Sequence, residues 1–376
     1  MKKTYILLIS FLITHITLAQ CNGRYESAIF NSVDTTTVCY SDNIIYQDDF
    51  HKMDIYIPNG DTVTNRPLII FLHGGSFLGG DKAQTECVDF CTEFAKKGYV
   101  TASPNYRYAD DAQSFALFQE EQYKTVLKSV SDIKGAIRYF RHSFANGNPY
   151  GIDENAIFIG GSSAGAVAAL HLAYIDNISD LPTIVTEPLT GGSFNVQQLV
   201  DSIGGDLEGD AGYFNYSSKV NGVISFAGGI NDVNWIDSND EPLVSCQGDI
   251  DQTVSYNCGP GLGVPTVLEL CGTSAMHPQA DLVNIINEKL VFTGADHGWC
   301  SAGNNDPKFI QAMNFTTTFL YPLLPCNDIN SISQAHNNKE LHKVINIIGQ
   351  DARINNNQIL FFIYNDGSVN KKVVLE

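Results

Sequence analysis

The segment from Ala156 to His171 constrains the fold of this chain more than any other stretch. Its first residues, AIFI, are typical of a buried strand, and its last residues, AGAVAALH, are typical of a helix. Between them lies a G-x-S-x-G sequence, Gly161-Ser162-Ser163-Ala164-Gly165. Such a turn is strained, and a bulky residue at either glycine would clash with the strand or the helix. The pattern therefore predicts that the Ser163 hydroxyl is exposed at the carboxyl end of a strand.

Apolar runs alternate with helical patterns on both sides of that turn. Residues 68–72, LIIFL, form a continuous apolar run of the kind that is buried on both faces of a parallel sheet. Residues 122–140 carry apolar side chains at spacings of three and four, which predicts a long helix. This order predicts an α/β fold with a doubly wound, mostly parallel sheet. Ligands of such sheets lie at the carboxyl ends of the strands.

A second glycine-rich loop, His73-Gly74-Gly75-Ser76, follows directly after residues 68–72. Glycines at this point let backbone N–H groups turn toward a bound oxyanion, because no side chain is in the way. We expect the N–H groups of Gly75, Ser76 and Ala164 to be the donors. The residues expected to support this geometry without reacting are His73, Gly74, Gly161 and Gly165.

A serine hydroxyl becomes a nucleophile when a histidine takes its proton and an acid orients that histidine. In folds with this turn, the acid and the histidine follow the serine in that order, each after a later strand. Asp251 is the candidate acid, and Asp249 is the alternative. His297, in the loop after a last buried strand pattern, is the candidate base, and His277 is its rival.

The chain is acidic, and this excludes several classes of partner. Its 376 residues carry 22 Lys and Arg against 41 Asp and Glu, a formal net charge of −19 at pH 7. Phosphate backbones and anionic lipid surfaces would repel such a chain, so nucleic-acid binding is not expected. The cysteines show no C-x-x-C spacing, and neither a metal site nor a cofactor is expected.

The first 20 residues are expected to be an export signal. Lys2 and Lys3 precede a largely apolar run at 5–18, which is shorter than the ~20 residues that a membrane-spanning helix needs. We expect cleavage near Gln20, and the alternative is a lipid anchor on Cys21. No other stretch is long and apolar enough to form a stable membrane span.

Export permits disulfides, and the nine cysteines leave at least one unpaired. One bridge is expected between Cys21 and Cys39. A second is expected within a later set of four, which comprises Cys246, Cys258, Cys271 and Cys300. Cys87 and Cys91, four apart on a predicted helix, are either a pair or free buried thiols.

The remaining segments divide the chain into parts. Residues 176–219 are irregular and rich in Gly, Ser, Asn and Asp, and a loop of that length predicts a cap or substrate wall. The main domain is expected to span 21–324, with a polar linker at 325–340. Residues 341–376 are expected to form a small β appendage. Its strand patterns lie at 344–348, 358–364 and 371–375.

Residues 48–321 resemble the α/β-hydrolase fold, and within it the secreted bacterial carboxylesterases and lipases with an H-G-G-G-type oxyanion loop. The resemblance rests on the two glycine motifs, Asp251 and His297, together with Asp54–Pro58 and Pro104–Arg107. It implies hydrolysis of a small or polymer-linked ester through an acyl-enzyme, without a cofactor. The chain departs from the family pattern at Ser76, where a third glycine is usual, and at Ala166, where many members have another glycine.

Two alternatives to an esterase remain. A serine exopeptidase on the same fold normally needs an acidic site for the free amine of its substrate, usually in an additional domain. No such domain is visible in the sequence. A secreted binding protein without activity usually lacks one member of the triad, whereas all three candidates are present here.

The C-terminal tail resembles the sorting domain of the type IX secretion system. The resemblance rests on 343–349 (KVINIIG), 361–367 (FFIYNDG) and the pair Lys371-Lys372. It implies a Bacteroidetes-type bacterium and recognition of the tail by the secretion machinery. The protein would then be secreted or held at the outer cell surface.

Overall fold

An eight-stranded, mostly parallel sheet forms the centre of residues 22–321 in this computed structural model. The structure describes residue 21, residues 23–326 and the segments 341–346, 358–364 and 369–374. The predicted signal peptide, most of the predicted linker and the connections between the tail strands lie outside the described residues. The strands of the main unit are β1 (Val33–Cys39), β2 (Lys52–Pro58), β3 (Arg66–Leu72), β4 (Val100–Pro104), β5 (Ile152–Ser162), β6 (Ile184–Thr186), β7 (Ser193–Asn195), β8 (Val223–Phe226), β9 (Leu243–Gly248), β10 (Cys258–Pro260), β11 (Glu269–Cys271) and β12 (Asn287–Phe292).

Helices connect these strands. The α-helices are α1 (Thr85–Lys96), α2 (Ala112–Leu117), α3 (Gln119–Ala145), α4 (Ala164–Tyr174), α5 (Val196–Asp201), α6 (Thr273–Val283) and α7 (Pro307–Leu320). Short 3-10 helices lie at Ile44–Tyr46, Asp49–His51, Ile178–Asp180, Val233–Trp235, Gly261–Gly263, His297–Ser301, Gly303–Asn305 and Tyr321–Leu323. The predicted helix at 122–140 is the central part of α3, which is 27 residues long.

The strand order of the sheet is β1-β2-β4-β3-β5-β8-β9-β12, with β2 antiparallel to both of its neighbours and the other pairs parallel. From β3 the chain moves first to β4 on one side and then to β5 on the other. The order therefore reverses between β3 and β5, and ligand sites of doubly wound sheets lie at such a reversal. Both glycine motifs follow these two strands. The predicted fold class is confirmed.

The burial of β3 and α4 explains their composition. All seven residues of β3 are buried, and so are all eleven of α4, which packs against β5, β8 and α3. A strand or helix that is covered on every side has no polar face. The sequences of β3 and α4 therefore lack the periodic polar residues that half-exposed elements show. The turn between β5 and α4 is consequently held from several sides.

A buried ionic network holds the segment of chain that follows β4. Arg107 follows β4, and its guanidinium lies 2.7 Å from Asp132 of α3 and 2.7 Å from Asp210. The side chain of Asp132 is fully buried and also lies 3.2 Å from His51 Nε2. Arg107 and His51 therefore share one buried carboxylate, and Asp210 connects the segment 176–219 to the same network.

The disulfides differ in part from the prediction. Cys258 and Cys271 are bonded, so one bridge within the later set of four is confirmed. Cys21 is bonded to Cys326 and not to Cys39, so that prediction was wrong. Cys39 ends a strand paired with β2, and its Sγ faces the carbonyl oxygens of Ser41 and Tyr46. With its Sγ in a disulfide, Cys21 has no free thiol for a lipid anchor.

The other unit comprises residues 1–21 and 322–376. Its described tail residues form an antiparallel three-stranded sheet, in the order β13-β14-β15. The strands are β13 (Leu341–Asn346), β14 (Gln358–Tyr364) and β15 (Val369–Val374). The small β appendage is confirmed, whereas its role in secretion stays a prediction. Among the described residues, no helix has the length and apolarity needed to cross a membrane.

Replacement of Asp132 by Ala should lower the free energy of unfolding by about 3 kcal/mol, because it removes the buried carboxylate that Arg107 and His51 share and leaves only Asp210 beside Arg107 and Asp48 beside His51. Urea denaturation followed by circular dichroism measures the change. The matched control is Asp49→Ala, which removes an ion pair with Lys52 whose carboxylate side chain is 89% exposed. We expect no measurable change there. Equal loss in both variants would contradict a special role for the buried network.

Candidate active site

Ser163 lies at a strained turn between β5 and α4. Its backbone has φ 51° and ψ −121°, a combination that residues with a side chain rarely adopt. A Cβ on Gly161 would lie 2.6 Å from the Gly165 carbonyl carbon, and a Cβ on Gly165 would lie 2.6 Å from the carbonyl oxygen of His73. The Ser163 N–H donates to Phe226 O of β8 at 2.8 Å. The two glycines thus allow the close approach that holds the serine in this conformation.

The structure brings Ser163, His297 and Asp251 together in one chain of contacts. His297 Nε2 lies 2.8 Å from Ser163 Oγ, and His297 Nδ1 lies 2.8 Å from Asp251 Oδ2. The second carboxylate oxygen, Asp251 Oδ1, accepts from the N–H groups of Thr253 and Val254 at 2.9 and 3.0 Å. These bonds leave Oδ2 directed at the imidazole. With its proton on Nδ1, the histidine presents a free lone pair to the serine hydroxyl.

Two further carboxylates tie the Asp251 loop to the His297 loop. Asp249 Oδ1 accepts from the Gly294 N–H at 2.7 Å. Asp296 Oδ1 accepts from the N–H of Gln252 at 3.1 Å and from that of His297 at 2.8 Å. These bracing roles were not predicted from the sequence. The signal was the clustering of short acidic side chains in turns, where they commonly bond to nearby backbone N–H groups.

The two alternative residues have other partners. Asp249 is engaged by Gly294, as described, and makes no bond to a histidine among the described residues. His277 lies within α6, where its Nδ1 contacts Asn287 Oδ1 at 2.6 Å. Burial lowers the pKa of His277 to about 4, so its ring is neutral. Neither residue contacts Ser163.

The electrostatics of His297 favour its protonated form. Burial alone would lower its pKa, but the hydrogen bond with Asp251, the contact with Cys300 and the charge of Asp251 outweigh this and raise the pKa above the usual 6.5. Cys300 Sγ lies 3.9 Å from His297 Nε2. The 3-10 helix His297–Ser301 places residues three apart on one side, a spacing that could have indicated this contact from the sequence.

The loop after β3 contains three consecutive residues with positive φ. Gly75, Ser76 and Phe77 have φ of 126°, 58° and 58°. Left-handed backbone at a serine is uncommon. Within the described part of the chain, the N–H groups of Gly75 and Ser76 have no hydrogen-bond partner, and nor does that of Ala164, the first residue of α4.

Buried side chains support this loop from below. His73 stacks on Tyr106 with ring centroids 4.3 Å apart, and its Nδ1 lies 2.7 Å from the carbonyl oxygen of Gly74. The Tyr106 hydroxyl donates to His73 O at 2.6 Å. Burial lowers the pKa of His73, so the ring is neutral and its Nδ1–H is the donor to Gly74. His73 therefore lies in the structure as a support for the loop.

Glu86 of α1 is a buried carboxyl that the sequence did not indicate. Its Oε1 accepts from the Gly74 N–H at 3.3 Å and lies 3.4 Å from the Ser162 hydroxyl. Burial raises its pKa, with hydrogen bonds from backbone N–H groups and Ser162 acting in the opposite direction. The residue connects the loop after β3 to the turn at Ser163.

A cavity of about 60 Å³ opens beside Ser163. Its lining includes Ser76 and Ala164, together with apolar side chains of α2, α3, α4 and the segment 252–271. None of its lining residues belongs to 176–219. Residues of 252–271 thus form part of the wall of this cavity. The role of 176–219 as a cap or substrate wall stays a prediction. That segment packs against α3, where Glu187 accepts from the N–H groups of Gln119 and Glu120.

One group of side chains in the described part of the chain has the spacing of a metal site. It comprises Cys258, Glu269 and Cys271. The two sulfur atoms are bonded to each other, and metal ligation requires free thiolates. This group therefore cannot bind a metal while the disulfide is intact.

Comparison with solved structures shows related folds at low identity. The chain is 19% identical to a bifunctional GH43-CE protein of Bacteroides eggerthii, with a TM-score of 0.52 over 76% of this chain and 35% of that one, so it spans about a third of that protein. It is 18% identical to a truncated carbohydrate esterase from gut microbiota, with a TM-score of 0.52 over 79% of this chain and 99% of that one.

A third structure is Thermogutta terrifontis esterase 2 phosphonylated by cyclosarin. The identity is 20%, with a TM-score of 0.51 over 76% of this chain and 93% of that one. These identities support a shared fold. The family is shown by sequence, because the BD-FAE profile matches residues 53–262, more than half of the chain. The match includes Ser163 and Asp251 and ends before His297. The chain belongs to the BD-FAE family of esterase-type hydrolases.

Proposed function

We propose that this protein is an exported serine carboxylesterase that hydrolyses esters through an acyl-enzyme on Ser163. The observation that carries the proposal is the unbroken chain of contacts from Asp251 through His297 to Ser163, both at 2.8 Å. Membership in an esterase family supports the reaction class. The strained backbone at Ser163 and the free N–H groups around it are what acyl transfer needs.

In the first half of the reaction, Ser163 Oγ attacks the ester carbonyl carbon while His297 Nε2 takes the hydroxyl proton. Asp251 holds the imidazole in the required tautomer and stabilises its charged form. The histidine then gives the proton to the leaving alcohol, and the acyl group remains on Ser163. In the second half, water takes the place of the serine hydroxyl and the same transfers release the acid.

The carbonyl oxygen becomes negatively charged in each tetrahedral intermediate. The N–H groups of Gly75, Ser76 and Ala164 are the proposed donors to it, and Ser76 and Ala164 line the same cavity as Ser163. Loss of one such donor typically costs about 10²–10³ in rate. The bonds from His73 and Glu86 to Gly74 would keep this loop in place without contact with substrate.

The substrate proposed is a small or polymer-linked carboxylic ester. One of the related structures is described as a carbohydrate esterase, and this favours an ester on a carbohydrate as the natural target. The two disulfides are typical of proteins that work in an oxidising compartment, outside the cytoplasm. Export by the N-terminal segment and sorting by the C-terminal tail are part of the proposal.

Replacement of Ser163 by Ala should lower kcat for p-nitrophenyl acetate by about 10⁴-fold or more, since no acyl-enzyme can form. Labelling by a fluorophosphonate should disappear in the same variant. Ser193→Ala, at an exposed serine of β7, is the matched control and should keep both properties. Unchanged turnover in Ser163→Ala would exclude the mechanism. Labelling of the wild type with cleavage of peptide substrates alone would favour the exopeptidase, and no labelling would favour a binding protein.

The raised pKa of His297 sets the pH dependence. The base must be neutral to act, so kcat/KM should fall as the pH is lowered, with an apparent pKa above 6.5. The contribution of this group to stability has the opposite trend, since it is complete below 6.5 and is lost as the pH rises through the folded-state pKa. Asp251→Asn should shift the acid limb to lower pH. An acid limb below 6.5 in the wild type would contradict a raised pKa at His297.

A Cβ at Gly165 should misplace the serine. Gly165→Ala would press against the carbonyl groups of Leu72 and His73, and a displacement of about 1 Å can cost roughly 10²-fold in rate. Gly298→Ala, one residue after His297, is the control because an added Cβ there meets nothing within 4 Å. Rates of phosphonate labelling measure the effect. Equal rates in the two variants would show that the close approach is unimportant for reactivity.

A further inference from the structure

The lining of the cavity beside Ser163 indicates which part of an ester it would hold in the proposed mechanism. In the proposed mechanism His297 must reach the oxygen of the leaving alcohol, so the alcohol part lies toward His297. The cavity is lined by Ser163, Ser76 and Ala164, but His297 is absent from its lining. A carbonyl carbon bonded to Ser163 with its oxygen toward Ser76 and Ala164 therefore directs its acyl chain into this cavity.

A disulfide-closed hairpin forms one wall of the cavity. We call residues 258–271 the 258–271 hairpin, since its two ends, β10 and β11, pair antiparallel and carry the Cys258–Cys271 bond. Its residues in the lining are Gly261, Leu262, Val267, Leu268 and Leu270. The opposite side is formed by Phe115 of α2, Val126 of α3 and Val167 of α4. The cavity thus lies between the hairpin and three helices.

Polar bonds hold the hairpin against α2 and α3. Gln122 of α3 is buried, and its amide nitrogen donates to the carbonyl oxygens of Phe115 and Thr266 at 2.6 and 3.3 Å. Its amide oxygen accepts from the Leu268 N–H at 2.8 Å. The Thr266 hydroxyl donates to Ala116 O at 2.6 Å. Together with the disulfide, these bonds fix the distance between the hairpin and the helices.

We propose that the 258–271 hairpin sets the acyl specificity of this esterase by restricting the cavity to short, uncharged acyl groups. The inference rests on the proposed function. The cavity is small, since its volume of about 60 Å³ leaves room for only a few water-sized groups. The lining contains no charged side chain, so a charged acyl group would lose its hydration without gaining a partner. The natural esters are therefore those of small aliphatic acids.

The test compares p-nitrophenyl acetate with p-nitrophenyl octanoate. The wild type should prefer acetate in kcat/KM. Leu268→Ala enlarges the cavity while it keeps the backbone bond to Gln122, so the octanoate-to-acetate ratio of kcat/KM should rise at least tenfold. Leu282→Ala, at a leucine of α6 that is 75% exposed, is the matched control and should leave the ratio unchanged.

A second variant removes the covalent closure. Cys258→Ser with Cys271→Ser leaves the Cys21–Cys326 bond in place and should also raise the ratio, because the hairpin is then held by the polar bonds alone. Circular dichroism and phosphonate labelling establish that each variant is folded and reactive. If Leu268→Ala fails to fold, Leu262→Ala tests the same wall.

The outcomes separate this inference from the proposed function. A wild type that hydrolyses esters but prefers octanoate overturns the inference alone. An unchanged octanoate-to-acetate ratio in folded Leu268→Ala or Leu262→Ala also overturns the inference alone. A wild type that neither hydrolyses any ester nor reacts with a phosphonate overturns the proposed function itself.

Discussion

The close contact between the turn at Ser163 and the end of β3 determines the arrangement of the rest of the site. Two glycines, Gly161 and Gly165, bring the turn against the carbonyl groups of Leu72 and His73, nearer than any side chain would allow. Because β3 and β5 are neighbours at the reversal of strand order, this contact also places the loop after β3 beside the serine. The nucleophile and the proposed oxyanion donors are therefore positioned by one packing contact. The histidine and the acid arrive from the other side of β5, on loops that follow β9 and β12.

Two carboxylates that have no role in the proposed reaction hold those two loops together. Asp249 and Asp296 each bond to the backbone of the opposite loop, so the contact between Asp251 and His297 does not depend on their mutual attraction alone. The proposed oxyanion loop is also held by side chains with no proposed role in the reaction, since His73 and Glu86 both bond to Gly74. The loops that carry the proposed reacting groups are therefore held by neighbouring side chains as well as by the contacts of those groups themselves.

The features predicted well from the sequence are those encoded by adjacent residues. The glycine motif at Ser163 and the apolar run before His73 are local patterns, and they predicted the strand–turn–helix at β5–α4 and the buried strand β3. The catalytic roles of Ser163, Asp251 and His297 stay predictions, although the topology brings the three side chains into contact. Partners set by distant packing were not predictable in this way. Cys21 joins Cys326 across 305 positions, and the hairpin beside the serine follows no motif. The length of 176–219 likewise did not indicate that Glu187 within it bonds to the start of α3.

The bond between Cys258 and Cys271 also bears on when the proposed acyl selectivity is established. A newly made chain in a reducing cytoplasm would carry both residues as thiols, and the hairpin beside the serine would lack its closure. The contacts among Asp251, His297 and Ser163 involve neither cysteine of this disulfide. If the chain is exported as proposed, its acyl selectivity would therefore be established later than its reactivity, after the chain has left the cytoplasm. An intracellular precursor would differ from the exported protein in which esters it accepts, although its reacting groups are the same.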